Sequence, residues 1–327
     1  MARALALLSG GLDSVLAAKL IKEQGIEVIG ICFKSYFFGE ENAVRMVKQI
    51  DIPLEVVDFS KEHLEMVKKP KHGHGKNMNP CIDCHAMMMR YAGELLEKFN
   101  ADFIITGEVL NQRPMSQNKT SLSMVLKESG IASKILRPLC AKVLLPTEME
   151  ESGIVNREML LGISGRGRKE QIALADKWGI VDYPSPAGGC KLTEPNYSVR
   201  LRDLLDYNEF PEERELELLK YGRHFRMSPI AKIISTRTAD EAEGIKDYLS
   251  EKDLVFLVSE FKGSMVFIVG EPNEEEIEYA AKIAGRYSKG KDEETLEVMY
   301  GNYKKPFNKC VKVNKISECE LNKYMIK

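Results

Sequence analysis

The sequence predicts an α/β fold, a parallel sheet with helices on both faces, followed by a smaller α+β domain. Three observations lead there. Short apolar runs alternate with helical patterns from Ala4 to Thr106, and Ser9-Gly10-Gly11-Leu12-Asp13-Ser14 joins the first run directly to a helix. The pattern then changes character near Pro195, which places the domains at 1–194 and 195–327.

The 327 residues are enough for two domains, each with its own core. Lys plus Arg number 47 against 49 Asp plus Glu, a net charge of −2, so no global basic field announces a nucleic acid and local patches must carry that case. No stretch approaches the roughly 18 apolar residues of a membrane span, and the N-terminus reads straight into a strand, so a cytoplasmic location is expected. Seven cysteines, an odd number, argue against a disulfide framework and for metal, cluster or thiol chemistry.

Ala4–Leu8 reads as the first strand and Leu12–Glu23 as the first helix. A strand running into a glycine pair and then a helix aims backbone amides and the positive helix end at one spot, which suits a phosphate. Glycine is needed where the backbone must approach the phosphate oxygens and a Cβ would intrude. The stretch is neither G-x-x-x-x-G-K-[ST] nor G-x-G-x-x-G. Glu27–Phe33 is the second strand, Asn42–Ile50 a helix, Leu54–Asp58 the third strand, and Ser60 the N-cap of a short helix through Val67. Ligands of such sheets bind at the carboxyl ends of the strands, where Ser9–Ser14 and the residues after Phe33 fall.

Lys68–Pro80 is a polar, Gly/Pro-broken loop, either a solvated connection or a segment whose Lys69, Lys71 and Lys76 touch phosphates. Cys81-Ile82-Asp83-Cys84 opens a helix that continues through Phe99, placing both sulfurs on its first turn near the positive end, which favours thiolate. His72, His74 or His85 with a distant cysteine would complete a zinc site. Asp102–Thr106 is the next strand and ends in Thr106-Gly107-Glu108; Leu110–Lys119 then offers Gln112, Arg113, Ser116 and Gln117 to phosphate. A helical stretch near Ser121–Glu128 follows, and Cys140 sits in a packed, apolar context. Asn156–Leu161 and Glu170–Trp178 read as helices flanking Gly165-Arg166-Gly167-Arg168-Lys169, a basic segment that is either a solvated turn or a clamp on a phosphate backbone. Pro184–Cys190, with two prolines and two glycines, delivers Cys190 as a third sulfur beside Cys81 and Cys84.

In the second domain Tyr197–Tyr207, Pro211–Tyr221, Ala239–Leu249 and Asn273–Tyr287 read as helices, and Ala231–Ser235, Leu254–Val258 and Met265–Val269 as strands. Gly222-Arg223-His224-Phe225-Arg226 is either a strand edge with solvated arginines or an RNA contact. Cys310 and Cys319 lack metal-site spacing, and Asn314–Lys327 is expected to fray.

Ser9-Gly10-Gly11-Leu12-Asp13-Ser14 resembles the PP-loop of ATP pyrophosphatases, S-G-G-x-D-S, at every fixed position. Together with Asn79-Pro80-Cys81 and Cys84 (N-P-C-x-x-C), Thr106-Gly107-Glu108 and Gly188-Gly189-Cys190, the first 200 residues resemble the tRNA thiouridylases of that superfamily, and the three-cysteine set is shared with cluster-dependent tRNA thiolases. The resemblance implies an adenine nucleotide alpha hydrolase-like, Rossmann-like catalytic domain. It implies ATP and Mg²⁺ as cofactors, with ATP held by Ser9, Gly10, Gly11, Asp13, Ser14, Phe33 and Gly107. A uridine carbonyl of tRNA would be adenylated with release of pyrophosphate, then sulfurated, with Cys81, Cys84, Cys190 and Asp13 as catalytic residues. Cys81, Cys84 and Cys190 would hold a 4Fe-4S cluster, with zinc, or a metal-free persulfide route, as alternatives; the donor would be sulfide or a persulfide carrier. tRNA contacts would fall to Lys69, Lys71, Lys76, Arg113, Arg166, Arg168, Lys169, Arg223 and Arg226, and a homodimer is admitted. Glu108 departs from the His that many relatives carry, and no THUMP-like domain precedes the loop. G-R-H-F-R with the Arg237 turn is similar to the small NFACT-R RNA-binding domain, which would make Arg223, His224, Arg226 and Arg237 backbone contacts. Two other functions stay open: a PP-loop enzyme acting on a small-molecule carbonyl or carboxylate, and a zinc-stabilised, non-catalytic RNA-binding protein, which the intact loop disfavours.

Overall fold

The short apolar runs of the first half become the strands of one parallel sheet. A computed structural model of the chain describes residues 2–186 and 189–327, so Gly188 of the Gly-Gly-Cys string lies outside the described residues. The chain divides into two units, Met1–Thr193 and Glu194–Lys327.

In the first unit the order is β1 (Arg3–Leu7), α1 (Leu12–Lys22), β2 (Glu27–Lys34), α2 (Glu41–Val47), β3 (Leu54–Asp58), α3 (Ser60–Lys68), α4 (Cys81–Lys98), β4 (Phe103–Thr106), α5 (Lys119–Ser129), β5 (Ile135–Leu136), α6 (Glu148–Glu151) and α7 (Lys169–Lys177). The strands lie in the order β3-β2-β1-β4-β5, every pair parallel, with Leu5 opposite both Ile29 and Ile104. Both faces are covered, which is why these strands are nearly continuous apolar runs. The period of two divides them: Ala4, Ala6 and Leu8 pack with Leu16, Ile21 and Phe103 on one face, while Leu5 packs with Ile31, Met89 and Ile104 on the other. The chain order reverses at β1, with β2 on one side and β4 on the other, and this opens a crevice beyond the carboxyl ends of β1 and β4. The helix expected over Asn156–Leu161 is a single 3-10 turn, Arg157–Met159, capped by the Asn156 side chain and ended when Leu160 turns extended to enter the core.

In the second unit α8 (Pro195–Tyr207) and α9 (Glu213–Leu218) precede β6 (Arg223–Arg226), β7 (Ala231–Ser235), α10 (Ala239–Gly244), β8 (Leu254–Val258), β9 (Val266–Gly270), α11 (Glu274–Arg286), β10 (Thr295–Asn302), β11 (Lys309–Asn314) and α12 (Glu318–Lys323). The six strands form an antiparallel sheet in the order β11-β10-β8-β9-β7-β6. Tyr279, Ala280, Ile283 and Ala284 of α11 cover one face through Phe225, Ile233, Phe256 and Ile268; Ile234, Val255 and Phe267 meet Leu218 and Ile245 on the other.

The carboxyl-terminal segment does not fray. Ser317 caps α12, Ile316 and Leu321 are buried, and the last residues extend along β6, where Arg226 N donates to Tyr324 O (2.9 Å) and Ile326 N to His224 O (2.9 Å). Two buried anchors and an otherwise unpaired strand edge are enough to order a lysine-rich tail. Among the described residues no helix is long and apolar enough to cross a membrane.

Candidate active site

Gly10 takes a positive φ of 74°, and a Cβ there would stand 2.4 Å from the carbonyl carbon of Asn42. Gly11 then leads into α1, whose N-terminus has no side-chain cap. Ser14 Oγ donates to Gly11 O (2.8 Å), closing the turn. After β4, Gly107 lies flat on this turn: a Cβ there would stand 2.4 Å from Ser14 N. The loops following the two central strands therefore touch backbone to backbone, and an uncapped helix start faces the crevice between them, an arrangement that receives anions.

Asp13 gathers residues from two further segments. Its Oδ2 accepts from Gln112 Nε2 (2.8 Å), Gln112 Oε1 accepts from Gln171 Nε2 (3.4 Å), and Arg168 Nη2 lies 3.9 Å from Asp13 Oδ1. Asp13 Oδ1, Arg168 Nε and Gln171 Oε1 are buried without a hydrogen-bond partner, an acceptor–donor set that a bound ion or phosphate would complete. Arg168, expected on RNA, is turned to this network with only 16% of its side chain exposed, whereas Arg166 and Lys169 are exposed. Gln171 carries no sequence signal; it lies 59 residues from its partner Gln112.

The cysteines reach the same edge of the sheet. The 18-residue α4 ends just before Asp102, whose carboxylate accepts the Arg3 amide at the start of β1 (2.8 Å), so the first turn of α4 lies at the opposite, carboxyl edge. Cys81 and Cys84 occupy that turn, and Asn79 Nδ2 donates to Cys81 Sγ (3.2 Å). The flanking loop is tied down by His72 N to Asp83 Oδ2 (2.9 Å), and the segment carrying Cys190 by Lys191 N to Phe37 O (2.9 Å) and Asn77 Nδ2 to Thr193 O (2.6 Å). Burial pushes the Cys84 thiol well up, and Cys190, Cys81 and Asp83 push it further by charge, so the three sulfurs are electrostatic neighbours. They do not close on one point: among the described residues no three His, Cys, Asp or Glu side chains gather tightly enough to hold a metal ion. The histidines considered for zinc are engaged elsewhere, His72 with Glu128 (3.4 Å), His74 with Val67 O (2.8 Å) and His85 with Glu108 (2.9 Å).

Glu108 joins the two halves of the site. One oxygen meets His85 Nδ1 (2.9 Å), next to Cys84, and the other accepts from Arg137 Nε (2.8 Å). Burial alone would raise its carboxyl, but the Arg137 charge and the His85 hydrogen bond outweigh it and hold the group down to about 2. Cys140, pushed up to about 11 chiefly by burial, packs its thiol on Glu108 O (3.3 Å).

The other expected contacts are distributed as follows. Phe33 is buried, its ring 5.1 Å from Phe59 and 6.4 Å from Tyr91, so packing occupies it. Lys71 pairs with Glu128 (2.6 Å), while Lys69, Lys76 and Arg113 are exposed. In the second unit Arg226 forms a two-pronged pair with Asp203 (2.8 and 3.0 Å), Arg223 lies 4.3 Å over the Tyr287 ring, Arg237 faces Glu241, and His224 is buried on Tyr221 O (2.8 Å) with its basicity lowered chiefly by burial.

Residues 1–143 match the family model described as Thiamine biosynthesis protein (ThiI), and residues 222–325 match that of the NFACT protein RNA binding domain. Among curated relatives, tRNA-specific 2-thiouridylase MnmA of Bartonella quintana is 30% identical over 34% of this chain and 32% of its own length, and that of Mycoplasmopsis pulmonis 30% identical over 40% and 44%. The Clostridium acetobutylicum enzyme of the same name is 37% identical over 31% and 34%, so the chain spans less than half of each of these relatives. Among solved structures, a 4-thiouridine synthetase–RNA complex with bound ATP aligns at 20% identity over 55% of this chain and 52% of that one, with a TM-score of 0.34. The C-terminal part of the fibronectin/fibrinogen-binding protein from Streptococcus suis aligns at 12% identity over 81% and 98%, with a TM-score of 0.30. The amino-terminal part of the chain is thus similar to ThiI and to the tRNA-specific 2-thiouridylases, and its carboxyl-terminal part to the NFACT RNA-binding domain.

Proposed function

We propose that this chain is a cytoplasmic, ATP-dependent tRNA thiouridylase, with residues 1–194 catalytic and 195–327 an RNA-binding domain. The observation that carries the reading is the unbroken run of contacts from the cysteine turn to the glycine loop. His85, beside Cys84, holds Glu108, and the adjacent Gly107 lies on Ser14. Activation at the loop and sulfur delivery at the cysteines therefore share one edge of one sheet.

In the proposed reaction a uridine carbonyl oxygen attacks the α-phosphorus of ATP and pyrophosphate leaves. Sulfide then adds to the activated carbon, and AMP departs with the original oxygen. Gly10, Gly11 and Ser14 receive the phosphates at the start of α1, and Arg168 faces the charge that develops on the leaving pyrophosphate. Asp13 Oδ1 would hold Mg²⁺, which would neutralise phosphate charge. Cys81, Cys84 and Cys190 would hold a 4Fe-4S cluster, and the charge that Cys190 and Cys81 exert on the Cys84 thiol supports their acting together. When bound, such a cluster supplies an iron open to hydrosulfide.

Anaerobically purified protein is expected to be brown and to carry about four irons per chain. Incubation with unmodified tRNA, ATP, Mg²⁺ and sulfide should give thiouridine by nucleoside mass spectrometry. Colourless, zinc-loaded protein would remove the cluster, and absence of thiouridine would remove the function.

A further inference from the structure

At one end of the second sheet several segments meet around Tyr287. β6 opens there with Arg223, β7 ends opposite it at Ser235, and β9 begins beside Ser235 at Val266. The connection from β8 to β9 and the turn after α11 are laced together across this end. Ser264 N donates to Tyr287 O (3.0 Å) and Lys289 N to Lys262 O (2.9 Å), with Gly263 opposite Ser288. The approach is close enough that a Cβ on Gly263 would stand 2.9 Å from Ser288 Cβ. Ser288 Oγ accepts from Gly290 N (3.0 Å), and Ser235 Oγ lies 3.1 Å from Ser264 Oγ, so side chains fix the turns as well.

Three cations stand on this frame without counter-charges. The Arg223 guanidinium lies 4.3 Å over the Tyr287 ring, and among the described residues its side chain makes no hydrogen bond and no ion pair. Lys262 and Lys289 are exposed, and among the described residues neither forms an ion pair. The other arginines of this part of the chain differ: Arg226 is spent on both oxygens of Asp203, and Arg237 lies 3.8 Å from Glu241. Glu260, in the same connection as Lys262, is exposed and holds neither lysine, and Asp292, after the α11 turn, goes to Lys315 (3.7 Å).

A guanidinium held over a ring keeps its N–H edge for a partner, and that fork matches two oxygens of one phosphate. The ring also limits the rotamer freedom that binding would otherwise remove. Two lysines on the adjoining turns add point charges, the kind that displace counterions from a nucleic acid. The chain as a whole carries a net charge of −2, so this surplus is local. All three cations and Tyr287 fall within residues 222–325, the span matched by the RNA-binding family model.

We propose that this end of the second sheet grips the sugar–phosphate backbone of the RNA substrate, with the Arg223 fork on one phosphate and Lys262 and Lys289 on neighbouring ones. The inference rests on the RNA-binding reading of the second unit and gives it contact residues. Lys262, Lys289 and Tyr287 lie outside the G-R-H-F-R string, and of the four residues in and after that string expected on RNA only Arg223 belongs to this surface.

The test is filter binding of an unmodified tRNA transcript to the full chain, without ATP, over a series of salt concentrations. Lys262→Ala with Lys289→Ala, both at exposed positions, should weaken binding and reduce the slope of log affinity against log salt by about 2. Arg223→Lys keeps the charge and loses the fork, so it should bind at least about fivefold more weakly with the slope unchanged. Unchanged affinity and slope in the double variant, with tRNA still bound, overturns the surface and leaves the RNA-binding reading to other cations. Failure of the unmodified chain to bind tRNA overturns both. A polyglutamate peptide that displaces the tRNA, and is itself weakened by the same substitutions, assigns the surface to an acidic protein and overturns the proposal. No thiouridine need form in this assay, so a failure of thiolation is read separately.

Discussion

Glu108 stays ionised in the interior because Arg137 and His85 bind its charge more strongly than burial opposes it. Its carboxyl titrates lower folded than unfolded, so the stabilisation is present above the usual value near 4.5 and is lost as pH falls toward about 2. Held down in this way, the carboxylate contributes on the order of 3 kcal/mol. Urea unfolding at pH 7 should find Glu108→Gln less stable by about 3–5 kcal/mol, because Arg137 is left buried and unpaired. The gap from the unmodified protein should narrow through that acid window; a gap independent of pH would contradict the ion pair. At this scale the loop was legible, since Gly10 and Gly107 occupy positions where a Cβ meets backbone at 2.4 Å, and such positions select glycine visibly. Arg137 and Gln171 were not, because their partners lie 29 and 59 residues away and no spacing rule joins them.

Four of the five strands of the first sheet were readable, because runs such as β1 and β4 are buried and stand between helical patterns, whereas β5 is only two residues long. β10 and β11 were missed for the opposite reason. They bury few side chains, such as Val298 and Val313, and intersperse Glu297, Lys309 and Lys312 among their apolar residues, so their sequences resemble a solvated tail. The last residues are held by the β6 edge, a contact between segments far apart in the chain. Truncation after Lys323 removes the two main-chain bonds to β6, each worth about 1 kcal/mol. Hydrogen exchange should then speed at the Arg226 amide, with a stability loss of about 2 kcal/mol. Unchanged protection would mean that the tail does not complete the sheet.

Over the whole molecule a net charge of −2 gives no long-range pull on RNA, so affinity rests on local exposed cations. Arg166 and Lys169 are such cations, and Arg168, between them in sequence, is not, because it faces Asp13. Arg166→Ala with Lys169→Ala should weaken tRNA binding and reduce the slope of affinity against salt by about 2, while leaving ATP binding intact. An unchanged slope in filter binding would move the RNA path elsewhere. At the centre stands the proposal that the glycine loop activates a uridine and the cysteines of the same edge deliver its sulfur. One reaction tests it most directly, with pyrophosphate and thiouridine counted together for the unmodified chain and for Cys190→Ala. Equal amounts of the two products are expected from the former, and pyrophosphate without thiouridine from the latter; thiouridine formed by Cys190→Ala at the unmodified rate would contradict the proposal.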